Sequence, residues 1–315
     1  AIVQLICSVL FLFIFHYGDY GMMLATGIGG IVCGIIICFR CNVKSFFRFK
    51  YVNKDALGSL LNYSLPLIPN QLSWWALNAS DRVIVHCFIG IAGNGLLAVA
   101  NKFSGMYIQF SNIFNISWTE SAAVHFGDKD AELFFNQTIN IVYRLFMSVC
   151  CGIISCMPFV FPFMVNGQFG DSYGLIPIFM VASLFNVVVS LYGVIYVAHK
   201  KTVEIGKTAL FAASLNVVSH LVLIHFIGIY AAAVSTAIGY GGMAVYRYFH
   251  SRKYMTIKFT RPTVFQTMFM LCASVIPYYI GIKSVQLIGF IFVITGSVLF
   301  NKDIISDVRR MLKKK

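Results

Sequence analysis

The chain has 315 residues, 59% of them hydrophobic and 11% charged, with a mean hydropathy of +0.80. Soluble domains carry roughly a quarter charged residues, so a soluble enzyme or binding module is excluded and the composition predicts a polytopic membrane protein. The net charge of +13 does not indicate a nucleic-acid partner, because the basic residues fall in short blocks between apolar runs, as in cytoplasmic loops.

The apolar runs are about twenty residues long and lack ten-residue in/out alternation, which favours an all-α bundle over a barrel. Ten spans are predicted, near 1–17, 20–39, 64–89, 95–118, 134–160, 173–198, 205–226, 229–249, 264–282 and 285–300. The sequence opens Ala-Ile-Val-Gln-Leu, with neither an initiator Met nor a charged leader, and reads as starting inside a span of a longer protein. Of 24 Lys and Arg residues, 20 lie in the connections 40–55, 124–132, 199–207, 247–262 and 301–315. By the positive-inside rule these are cytoplasmic, as are both ends of the chain. In the first two spans Gly27, Gly29, Gly30 and Gly34 are expected to serve packing, with Gly30-x-x-x-Gly34 as the close-approach motif. The linker 40–56 alternates basic and aromatic residues, as either an interfacial amphipathic segment or a solvated loop would.

The third span opens with Pro66 and Pro69, which should break or bend it and mark a hinge. Beyond them Gln71, Trp75, Asn78 and Arg82 recur at helical spacing and share one face. The fourth span carries a second stripe, Asn101, Ser104, Ile108, Ser111, Asn115 and Thr119. Such stripes either line a wetted cavity or hydrogen-bond neighbouring helices together.

The fifth span carries Arg144 about ten residues from its cytoplasmic start, or ~15 Å deep by helix rise, and ends in Pro158-x-x-x-Pro162. The sixth holds Asn186 and Ser190, the seventh Asn216, Ser219 and His220. A lone intramembrane His reads as a packed, hydrogen-bonded residue rather than a titrating site. The last two spans are short and nearly uncharged, as lipid-facing additions would be. Most of the nine cysteines lie in apolar runs, and Cys38-Phe-Arg-Cys41 has no second ligand pair, so neither a metal nor a cofactor is called for. The Asn-x-Ser/Thr matches at Asn62, Asn78, Asn115 and Asn136 lie in or near spans and read as chance.

Arg82, Lys102 and Arg144 form a candidate cationic ladder for an anionic substrate, with guanidinium able to hold phosphate oxygens bidentately. Gln71, Asn78, Asn101 and Asn115 are the candidate polar lining. For Arg82 a second reading stays open, in which it pairs with Asp81 and only orients the helix. Asp81 and Glu120 are the carboxylates near this pathway, and one of them would bind H+ or Na+ if transport is ion-coupled. A membrane enzyme would need an acid/base pair or metal cluster in a sizeable loop, and a channel would need symmetric rings; the sequence offers neither. An exporter of cationic drugs would favour acidic and aromatic lining, against three cations and two carboxylates here.

Residues 63–121 carry SLPLIPN, SWW, N-x-SDR, NG-x-x-AVANKF and W-x-ES. This stretch resembles the start of the second half of the bacterial flippases for lipid-linked oligosaccharides, the O-antigen and capsule transporters of the multidrug/oligosaccharidyl-lipid/polysaccharide (MOP) exporter superfamily. The resemblance implies two six-helix bundles around a cavity that opens alternately to each side of the bacterial cytoplasmic membrane. It also implies an undecaprenyl-pyrophosphate-linked oligosaccharide as substrate, a polysaccharide polymerase complex as a partner, and roles for Arg82, Lys102 and Arg144 as cavity cations. The chain would then be helices five to fourteen, lacking the first four. Residues 1–39 would close the first bundle, 40–56 form the linker and 57–250 the second bundle. A cytoplasmic loop at 251–263 would follow, then two additional helices and a basic tail at 264–315. A multidrug exporter of the same superfamily is the alternative.

Overall fold

A computed structural model describes residues 2–42, 53–65, 67–304, 306 and 310. The described residues are helical apart from short turns and one extended segment, and they divide into two compact units, Ala1–Tyr63 and Ser64–Lys315.

In the first unit α1 (Ile2–Val9) runs on as a π-helical turn (Leu10–Ile14) and packs against α2 (Gly18–Arg40); α3 (Lys54–Ser64) follows the linker. The close approach of α1 and α2 does not use Gly30 and Gly34, whose missing Cβ positions face open space, as does that of Gly27. It uses Gly21 and Gly29, where an added Cβ would lie 2.8 Å from Phe11 Cβ and 2.9 Å from Gln4 Cβ. With the buried Ala25 between them, these residues recur every four positions and so form one stripe.

The second unit comprises α4 (Leu67–Phe88), α5 (Ile91–His125), α6 (Ala131–Met164), a 3-10 segment (Gly167–Leu175) leading into α7 (Ile176–Ala198), α8 (Thr202–Ile227), α9 (Tyr230–Ser251), α10 (Arg261–Ile280) and α11 (Lys283–Phe300). α7 is apolar all round and therefore central: it packs on α5, α6 and α9, while α8 joins α4 to α9. α10 and α11 lie against α6 and each other. At Gly90, φ is +99°, a conformation that a side chain would strain, and the chain reverses there between α4 and α5.

Among the described residues six helical segments are long and apolar enough to cross a bilayer: α2, α6, the 3-10 segment with α7, α8, α10 and α11. The protein is a multi-pass membrane protein. Each of the ten predicted spans overlaps a helix, yet α4, α5 and α9 are not apolar enough to count among the six, α4 and α5 carrying the polar stripes, and Ile2–Ile14 falls short in length. Pro158 and Pro162 lie within the last turns of α6, which runs to Met164. Pro66 lies outside the described residues. Pro69 occupies the first turn of α4, where the absent N–H has no helical partner to lose, so the helical break falls before α4 and not within it.

The connection after α9 is pinned to the bundle. Residues 255–260 are extended along α6, where Glu132, Asn136 and Asn140 stand one helical turn apart. Glu132 Oε1 accepts from Thr256 N (3.2 Å), Asn136 Oδ1 from Lys258 N (2.9 Å) and Asn140 Oδ1 from Thr260 N (3.2 Å). The two Asn amides donate back to the carbonyls of Thr256 and Lys258. Asn136, a chance sequon by sequence, is thus a rung of a side-chain ladder. Arg247, expected in this loop, is instead a buried residue of α9.

α10 and α11 meet closely at Gly289, where an added Cβ would lie 2.7 Å from Pro277 Cγ and 3.0 Å from the Ala273 carbonyl. Neither a proline ring nor a backbone carbonyl can swing aside, so Gly289→Ala is expected to cost about 1–3 kcal/mol and to lower the thermal unfolding midpoint in detergent. An unchanged midpoint would show that this contact does not hold the helix pair.

Candidate functional site

The inner face of α4 is set by Ser73, Leu77 and Asp81, four residues apart and buried at 3%, 1% and 6% exposure. One residue on, about 100° round the helix, Arg82 points elsewhere and is exposed. Asp81 therefore turns into the bundle, and its partner is not Arg82. Its Oδ1 lies 2.9 Å from Nδ1 of the fully buried His220 on α8, and its Oδ2 accepts from the Thr236 hydroxyl of α9 at 2.8 Å.

A second set of bonds lies beside this one. Ser80 Oγ donates to Asn216 Oδ1 (3.2 Å), and Asn216 Nδ2 to Ser235 Oγ (3.5 Å). Asn216 and His220 are one turn apart on α8, Ser235 and Thr236 adjacent on α9. A polar layer thus ties α4, α8 and α9 together. Among the described residues His220 Nε2 is buried without a hydrogen-bond partner.

Thr236 gives the carboxylate two workable states. Its hydroxyl lies 2.8 Å from Asp81 Oδ2 and 2.7 Å from the Ala232 carbonyl oxygen, but carries one hydrogen. With Asp81 ionised the hydroxyl donates to the carboxylate. With Asp81 protonated, the acid O–H donates to Thr236 Oγ1, which turns its hydrogen to Ala232. Neither state leaves a carboxyl oxygen facing apolar surroundings alone.

α4 leans on α8, leaving a cavity of about 380 Å³ between it and α5. Trp75, Asn78 and Arg82 line one wall and Asn101, Ser104, Gly105 and Ile108 the other; Phe179, Asp81 and Thr236 reach it from inside the bundle. The two polar stripes read from the sequence therefore face each other over part of their length, and the Asp81–Thr236 contact is open to the cavity while His220 lies behind it.

The remaining candidates are placed as follows. Gln71 is exposed and outside the lining. Lys102 is exposed, one residue round α5 from Asn101, and does not line the cavity. Asn115 lies more than three turns from Asn101, with its Oδ1 buried and without a partner among the described residues. Glu120 is exposed near the far end of α5.

Arg144 lies in a different cleft. α6 starts at Ala131, earlier than the predicted span, so Arg144 is level with the end of α11: its Nη1 donates to the Phe300 carbonyl (3.2 Å) and lies 4.0 Å from Asp303 Oδ2. The three cations expected in one chamber are thus apart, and of them only Arg82 lines the cavity.

No protein-family model and no curated protein matches the chain. Among solved structures, it resembles the lipid II flippase MurJ in an inward closed conformation with a TM-score of 0.66 at 16% identity, over 96% of this chain and 66% of that one. It resembles a single-substitution mutant of MATE with a TM-score of 0.62 at 14% identity, over 80% of this chain and 59% of that one. The fold is thus shared with these two solved structures. The chain spans 66% of the MurJ chain and 59% of the MATE chain.

His220 was legible as a packed, hydrogen-bonded histidine, but its pairing with Asp81 was not, and Thr236 went unnoticed. The available signal was the four-residue spacing of Asn216 and His220 in an otherwise apolar span. Asp81→Ala should leave the buried His220 ring unpartnered and cost about 3–5 kcal/mol. Asp81→Ala/His220→Leu should recover most of that loss, read as thermal unfolding midpoints in detergent. Equal midpoints for the single and double variants would show that the pair is not coupled.

Proposed function

We propose that the protein flips a lipid-linked oligosaccharide with a negatively charged head group across the bacterial cytoplasmic membrane, for assembly of a surface polysaccharide. The observation that carries this reading is the charge balance of the cavity. Its cation, Arg82, makes no ion pair among the described residues, while its carboxylate, Asp81, is engaged by His220 and Thr236. The wall therefore offers a guanidinium to a pyrophosphate, and Asn78, Asn101 and Trp75 offer amides and an aromatic face to sugar hydroxyls and rings. The same balance disfavours the multidrug alternative, because a cationic drug would meet Arg82 and find Asp81 already bonded. That the MurJ of similar fold is named a lipid II flippase supports a lipid-linked substrate.

α4 to α9 act in this proposal as the second bundle, with α10 and α11 as the two additional helices and the first 39 residues as the end of the first bundle. The helical break before α4, beside Pro66 and Pro69, serves as the hinge. Asp81, not the exposed Glu120, takes the coupling ion. A proton suits it better than Na+, because Thr236 can accommodate either protonation state by rotating one hydroxyl, whereas Na+ needs several oxygen ligands in place of the His220 nitrogen. Lys102, exposed on α5, serves the anionic head group outside the cavity wall, and a polysaccharide polymerase complex consumes the product.

The test is complementation of a bacterium lacking its own polysaccharide flippase by the complete gene product. Arg82→Gln is expected to reduce surface glycan at least tenfold with unchanged membrane levels. Asp81→Asn should abolish the dependence of flipping on an imposed pH gradient. Wild-type glycan display by Arg82→Gln would remove the cavity cation from the mechanism, and drug resistance without glycan display would establish the multidrug reading instead.

A further inference from the structure

The cleft that holds Arg144 is built apart from the proposed transport cavity, from helices that do not line it. About 570 Å³ in volume, it lies between α6, the extended segment after α9, α10 and the turn after α11, and is lined by Asn136, Gln137, Asn140, Arg144, Lys258 and Thr263 among others. Two cations face it. Lys258 is fixed through its backbone, whose N–H and carbonyl are held by Asn136 and Asn140 at 2.9 and 3.0 Å. Arg144 is held by one hydrogen bond to the Phe300 carbonyl, and its Nε is buried without an acceptor among the described residues.

The carboxylate of the cleft, Asp303, offsets at most one of these two charges. Its Oδ2 stands 4.0 Å from Arg144 Nη1, beyond hydrogen-bond reach, and its side chain is 84% exposed. The positive end of α10, which starts at Arg261, faces the same region. A guanidinium with donors to spare, an ammonium on a pinned backbone and a helix N-terminus together suit a phosphate group, which takes the guanidinium edge bidentately and the ammonium as a point charge.

We infer that this cleft is a phosphate-binding site at the basic-loop end of the membrane bundle, distinct from the transport cavity. Occupied, it joins α6, the extended segment and α11 through one anion. The phosphate belongs either to an anionic phospholipid head group or to a soluble phosphate compound.

The complete protein distinguishes these sources. In nanodiscs, retention of phosphatidylglycerol over phosphatidylcholine, read by native mass spectrometry, marks the lipid. In detergent free of anionic lipid, a rise in unfolding temperature with pyrophosphate or inorganic phosphate, absent with chloride at equal ionic strength, marks the soluble ligand. Either result is expected to weaken about tenfold or more in Arg144→Gln, one charge-assisted bond being lost. Asp303→Asn should strengthen it, because it removes the competing charge. Equal retention of both lipids with no phosphate-specific shift would overturn the site. So would Asp303→Asn behaving like Arg144→Gln, since the two residues would then be only a structural ion pair.

Discussion

A carboxylate enclosed among apolar helices needs hydrogen-bond partners for both its oxygens from within the protein, and meeting that need at Asp81 orients the helices around it. The donors come from two other helices, His220 of α8 and Thr236 of α9. That fixes the rotation of α4, since Ser73 and Leu77 must share the inward face with Asp81. Once that face is assigned, Trp75, Asn78 and Arg82 are left to look toward α5. The polar wall of the cavity is thus the other side of a packing constraint: Asp81 is drawn inward, and Arg82, its neighbour in sequence, is released from it.

The cations follow the same logic, each going where acceptors exist. Arg247 is buried in α9 without a carboxylate partner among the described residues; it donates to the Thr208 hydroxyl at 3.1 and 2.9 Å and to the Val189 carbonyl at 2.8 Å, and lies over the Tyr196 ring. The absence of a side chain at Gly193 makes room for this, as an added Cβ there would be 2.8 Å from Arg247 Nη1. Arg144 finds the last carbonyl of α11, that of Phe300. These two guanidinium groups serve helix ends and helix crossings, which leaves Arg82 to the cavity. The number of positive residues in the membrane region therefore overstates what a substrate would meet.

Periodicity made the helices and the two stripes legible, because α4 and α5 alternate polar and apolar faces at the helical repeat. It could not make the partners legible. Asp81 and His220 are 139 positions apart, and nothing local in either span says that these two meet. The placement of Arg144 failed for a different reason: its depth was counted from the first apolar residue, whereas α6 begins earlier, at Ala131, with polar side chains that serve as rungs. The glycine motif failed similarly, since Gly30 and Gly34 fit the spacing rule while the α1 contact selects Gly21 and Gly29.

Those rungs explain how an extended segment can lie along a helix rather than beside another strand. A strand leaves alternate N–H and carbonyl groups pointing sideways, and at the edge of a bundle these would lack partners. Asn supplies a donor and an acceptor on one short side chain, so residues one turn apart on α6 meet every second residue of the segment. Ile257, facing the other way, is buried in the core. The pairing stops at Thr260, the N-cap of α10, and Pro262 in the first turn of that helix has no N–H to offer. The ladder thereby anchors α10 to α6, while the cavity is lined from α4, α5, α7 and α9. The two polar sites share no lining element, so motion of the α4 and α5 walls reaches the Arg144 cleft through the packing of α6 against α5 and α7 and through the chain that runs from α9 into the extended segment.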